Sequence, residues 1–164
     1  MKQDDKLLLG FFLVMGFLLW FFFWAAGAFA GDLPDPALTP GVTRNLTLDQ
    51  VCTTKWGKDE RAVTAAMKAQ VYAEYHMVKY QGECALSKRG CEVDHLVSRE
   101  LGGADDVKNL WVQPYGGEWN AVMKDRAENE AHKRVCSGAI TLEYAQHAMS
   151  TNWINFYKEL FPSK

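Results

Sequence analysis

The chain has 164 residues, 48% of them hydrophobic and 23% charged, with a formal net charge of −2. That length fits one domain and excludes a large multidomain enzyme or a repeat array. The acidic balance excludes a protein that grips nucleic acid through a global positive field, so any such role must rest on a local site.

From Leu7 to Ala30 the chain carries no charge, which is enough apolar length for a membrane-spanning helix of ~20 residues. The same stretch ends in Ala28-Phe29-Ala30, the small-x-small pattern cut by signal peptidases. Residues 1–30 therefore read as a signal peptide or a retained membrane anchor. Both place the rest outside the cytoplasm: periplasmic or secreted if cleaved after Ala30, membrane-anchored through residues 7–30 if not. Four cysteines follow, Cys52, Cys84, Cys91 and Cys136, none in the close pairs of a zinc knuckle. In an exported chain they predict two disulfides out of three connectivities. Cys84 and Cys91 flank a short polar loop and are paired on that ground, which leaves Cys52 with Cys136.

Residues 31–45, with Pro34, Pro36 and Pro40, read as an extended Pro-rich linker before a domain at 46–164. Val63, Met67, Val71 and Tyr75 recur at helical spacing within a helix predicted from Asp59 to about Tyr80. Cys91 to Val97 reads as a short strand, Leu101 to Asp106 as a turn around Gly102-Gly103, and Asn109 to Gln113 as a second strand stopped by Pro114. A long helix is predicted from Glu118 to Cys136, closed near Gly138. A last helix, capped by Thr141, carries Trp153, Phe156 and Tyr157. Trp111 and Trp119 are assigned to the core.

The chemistry-bearing residues lie between Glu92 and Glu128. Asp94 and His95 are neighbours, and a strand sends neighbours to opposite faces, so both reach one site only if the strand ends or bends there. On the long helix Asn120, Lys124, Glu128 and His132 are spaced by four and form one stripe, by default a solvated face. A carboxylate (Asp94) and an amide oxygen (Asn120) are hard ligands suited to Mg2+, with Mn2+ or another divalent ion as substitute. A neutral His95 beside such a metal can deprotonate water, and Lys124 can hold a phosphate oxygen. Further cations for phosphate contact are Lys88, Arg89, Arg99, Lys108, Arg126, Lys133 and Arg134, with acidic residues among them.

The string from Glu92-Val-Asp94-His95 through Gly102-Gly103 to Asn109-Leu110-Trp111 resembles the HNH endonuclease motif. It continues in Asn120, Lys124-Asp125, Glu128, Val135-Cys136-x-Gly138 and Ala145-Gln146, with Trp153 after. Residues 91–153 are similar to the exported bacterial HNH-like proteins of the ββα-metal nuclease superfamily. The resemblance implies an α+β fold, with a small ββα-metal core at 91–136 and flanking helices. It implies His95 as general base, Asp94 as metal ligand and Asn109 as the residue that fixes the loop and orients the histidine. Asn120 matches the second metal ligand. The family's usual spacing would put Ala121 there, so Asn120 needs one extra residue, and Glu92 is the substitute ligand. The implied activity is single-metal hydrolysis of nucleic acid, DNA before RNA, largely without sequence specificity and with no protein partner evident. The alternative is a non-catalytic, disulfide-stapled envelope module that keeps the scaffold and binds a partner.

Overall fold

The computed structural model describes residues 32–77 and 90–163. In chain order they form α1 (Leu48–Thr53), α2 (Ala65–Glu74), β1 (Cys91–His95), β2 (Leu110–Pro114), α3 (Ala121–Cys136) and α4 (Leu142–Leu160). Single 3-10 turns lie at Arg99–Leu101 and Val107–Asn109. Four helices beside a two-stranded antiparallel sheet make an α+β architecture. Among the described residues no helix is long and apolar enough to cross a membrane, and the predicted signal or anchor segment, residues 1–30, lies outside them.

The helices begin where hydroxyl or amide side chains can satisfy free N–H groups. Thr47 forms a reciprocal capping box with Gln50, Thr64 accepts from Met67 N, and Thr141 accepts from Tyr144 N. The Thr64 cap starts α2 six residues later than the spacing predicted. Residues 59–63 are instead a loop. Val71 and Tyr75 are buried and Val63 and Met67 partly so, but the helix stops at Glu74, with Tyr75 as its cap and His76 at φ +52°, short of the predicted end near Tyr80; residues 78–80 lie outside the described residues.

β1 pairs with β2 in a register that sets Asp94 opposite Trp111 and His95 opposite Leu110. Regular pairing ends at His95, so the chain is released just where two adjacent polar side chains must share one site. The connection back to β2 is pinned by Asn109, which is fully buried. Its Oδ1 accepts from Val97 N at 3.0 Å, and its Nδ2 donates to Val97 O at 2.9 Å and Ala104 O at 3.0 Å. Its backbone carbonyl accepts from Leu96 N at 2.7 Å. Gly103 is what lets the turn close this tightly. A Cβ there would lie 1.8 Å from Val97 O. Gly102 has φ +84°, a left-handed conformation that costs a side chain and suits glycine.

The segment read as a linker is extended but packed. Thr39 is buried and donates to Leu110 O, Arg44 N donates to Gly102 O, and Thr43 bridges Gly103. The core gathers Val93, Leu110, Trp111, Val112, Ala145, Met149, Trp153 and Phe156, all buried. Trp119 is only partly buried and stands edge-on to Trp153 and Tyr157, with centroids 6.1 and 5.5 Å apart. A Cys52–Cys136 disulfide ties α1 to α3 across 84 residues. Cys91 is also disulfide-bonded, and its predicted partner Cys84 lies outside the described residues.

Candidate active site

Asp94 and His95 line one open cleft of about 440 Å³, between α3, the loop before α2 and the turn that follows β1. Asp125, Glu128 and Asn129 of α3 line it as well, together with Ser98, Arg99 and Glu100 of the first 3-10 turn. Asp59 and Arg61 enter from the loop before α2. Carboxylates outnumber guanidinium groups on this surface.

His95 is 4% exposed, and its Nε2 lies 2.7 Å from Asp105 Oδ1. Asp105 can only accept, so a neutral imidazole carries its hydrogen on Nε2 and keeps the lone pair on Nδ1. Burial pushes His95 below its ordinary value, the charge of Arg61 works the same way, and Asp94 and Asp105 oppose both. The ring is therefore neutral at neutral pH and able to take a proton. Burial also works against the charge on Asp105, but N–H groups from Ala62 and His95, with Arg99 nearby, hold it below the usual carboxylate range. Arg99 Nε stands 3.4 Å from Asp105 Oδ1, and the guanidinium also bonds Asp59 and the Glu60 carbonyl.

Asp94 is held from the opposite side. Lys124 is wholly buried, and its ammonium donates to Asp94 Oδ2 at 2.8 Å, to His95 O at 2.5 Å and to Glu128. Those three acceptors use all three ammonium hydrogens. Burial opposes the charge on Asp94, yet Lys124 keeps it below the ordinary value. Burial, with Asp94 negative close by, pushes Glu128 up to about 8 even beside the ammonium. One ammonium thus serves two carboxylates.

Several predicted roles change. Lys124 cannot hold a phosphate, because it is shut from solvent and fully engaged. Asn120 is not at the cleft. It is the N-cap of α3, its Oδ1 accepting from Met123 N at 3.3 Å and its Nδ2 donating to Gly117 O at 2.8 Å. The loop before α3 needs a cap at that position, which absorbs the oxygen expected to bind metal. Glu92 accepts a 2.6 Å hydrogen bond from the Tyr115 hydroxyl and does not line the cleft. Asn109 holds the loop that follows His95 without touching the ring. Of the 120/124/128/132 stripe, Lys124 is buried and the other three are half-buried, with His132 Nε2 at 3.0 Å from Val51 O.

The residues nearest in chemistry to the missing helical ligand are Asp125 and Asn129, one turn apart on α3 and both on the cleft. Burial and the charge of Asp94 push Asp125 above its ordinary value, with Lys124 opposing them. Among the described residues no three His, Cys, Asp or Glu side chains form a metal cage. Mg2+ needs none, since one or two carboxylates and several waters suffice. Asp105, Asp125 and Arg61 are the residues that sequence reasoning missed. No family model, curated protein or solved structure matches the chain.

Proposed function

We propose that this chain is an exported, metal-dependent phosphodiesterase of the HNH type with a small ββα-metal core, cutting nucleic acid, DNA before RNA, with little regard to sequence. The observation that carries the reading is the His95–Asp105 pair beside Asp94 in an open cleft rich in carboxylates. His95 Nδ1 takes a proton from the attacking water, and Asp105 fixes the tautomer and offsets the charge that the ring gains. Lys124 sets the backbone carbonyl of His95 and the carboxylate of Asp94 on the other side. A divalent cation such as Mg2+, held by Asp94 and Asp125, would supply Lewis-acid stabilisation of the phosphoryl and departing oxygens. The disulfide between α1 and α3 fits an oxidising compartment outside the cytoplasm.

A second reading has one observation in its favour. The excess of acidic side chains in the cleft repels a polyanion, as suits a non-catalytic envelope module. Oxidised protein incubated with supercoiled plasmid, single-stranded DNA and RNA in Mg2+, Mn2+ or EDTA separates the two. Metal-dependent cutting that falls by roughly 10²–10⁴-fold in His95→Ala, with the melting temperature kept, supports the nuclease. No cutting by well-folded parent protein with either metal transfers the assignment to the binding module.

A further inference from the structure

Two cationic side chains line the cleft, and they are held in opposite ways. Arg99 is spent, bonded to Asp59, the Glu60 carbonyl and Asp105. Arg61 is exposed and makes no hydrogen bond or ion pair with any described residue. Its backbone, by contrast, is fastened on both sides. Before it, Arg99 holds Asp59 and Glu60; after it, Ala62 N donates to Asp105 Oδ2 at 2.7 Å. That carboxylate is the one whose Oδ1 takes His95 Nε2. One side chain therefore sets both the base and the loop that carries Arg61. Nearby, Ser98 Oγ is buried at the cleft wall with no protein partner, which leaves a hydroxyl donor unassigned on the same surface.

We propose that Arg61 is the phosphate-binding residue of this cleft, its guanidinium taking the non-bridging oxygens of the nucleic-acid phosphate next to His95. The inference rests on the phosphodiesterase reading for the identity of its ligand. Lys124 leaves this role open because it is buried. A planar guanidinium meets two phosphoryl oxygens at once, and it supplies positive charge where the walls are mostly acidic. An anchored backbone with an uncommitted head group is what such a clamp requires, since ordering the loop has already been met by folding.

The test uses the full oxidised chain in Mg2+. Cleavage of a duplex oligonucleotide is measured for parent, Arg61→Ala and Arg61→Lys. Binding of the same fluorescein-labelled duplex is measured across a salt series in His95→Ala and in His95→Ala combined with Arg61→Ala. Removing Arg61 should lower kcat/KM roughly 10²-fold, as loss of a preorganised donor does. Lysine should restore part, having the charge without the fork. The slope of log K against log salt should fall by about one, and the melting temperature should not move. Parental kcat/KM and an unchanged slope in a parent that cuts would overturn Arg61 and leave the nuclease standing. A parent that does not cut, with a slope that still falls by about one, keeps the phosphate site and removes the catalytic reading. No cutting and no slope change overturns both.

Discussion

The two walls of the cleft treat charge differently. On the helix wall, Lys124 of α3 is fully buried and joins Asp94, Glu128 and the His95 carbonyl. On the loop wall, Arg99 and Arg61 line the same cleft from short irregular segments, and Asp105, 14% exposed, is bonded to His95 and lies beside Arg99. A buried ammonium between carboxylates is costly to disturb and does not let go of its partners. Arg61, exposed and uncommitted, can take up a new contact without giving up a protein one. The difference sets a closed, fully engaged cation on one wall against an open one on the other, although Asp94 and His95 are adjacent in the chain; on the proposed reading the first serves stability and the second chemistry.

The largest expected effect breaks the helix wall. Lys124→Met leaves Asp94 and Glu128 facing each other with no cation, and removing one partner of a buried pair costs ~3–5 kcal/mol. Denaturant unfolding in EDTA checks this, and the midpoint should fall with the slope kept. A variant as stable as the parent but unable to cut would move Lys124 into the chemistry and erase the contrast between the walls.

Asp105→Asn sharpens the loop side. An asparagine amide that keeps its oxygen on Ala62 N turns its NH2 toward His95 Nε2, which must then accept. The imidazole hydrogen moves to Nδ1, where the lone pair was needed, and such tautomer errors cost up to ~10⁴-fold in kcat. The pH profile gives an independent reading. A base works when neutral, so on the proposed mechanism the acidic limb of kcat/KM marks the pKa of His95, which lies below its ordinary value. Asp105 pulls that value up through its hydrogen bond and charge, so its removal should move the acidic limb to still lower pH. A slower enzyme whose limb moves to higher pH, or stays fixed, would assign the acidic limb to a group other than His95. The melting temperature should change little.

What the sequence made legible follows from distance along the chain. Asp94, His95, the Gly102-Gly103 turn and Asn109 lie within one hairpin, and the alternation of the strands with a tight turn sets their geometry locally. Asp105 sits in the same turn, but nothing local ranks it above Asp106, which caps the second 3-10 turn instead. The loop that carries Arg61 is tied to the His95 site by the bond from Ala62 N to Asp105, 43 residues further on. Contacts of that span leave no periodic trace. Lys124 misleads for another reason: a charge pair four apart looks like a solvated face unless the strand it packs against carries a carboxylate at the right register.

Asn120 gives the smallest effect and the sharpest check on the stripe. As the N-cap of α3 it satisfies Met123 N, so Asn120→Ala should cost about 1 kcal/mol, while Asn120→Asp or Asn120→Ser should recover most of it. A metal ligand behaves otherwise. Mg2+ affinity, followed by calorimetry, should stay within error in the alanine variant and should fall by an order of magnitude or more in Asp125→Ala. Serine retains a cap but is a poor substitute for an amide ligand, so recovery of stability by Asn120→Ser with parental Mg2+ affinity separates the two roles in one protein. A tenfold loss of Mg2+ affinity in Asn120→Ala would instead mean that the start of α3 rearranges when metal binds, and that the cap and the ligand are alternative states of the same oxygen.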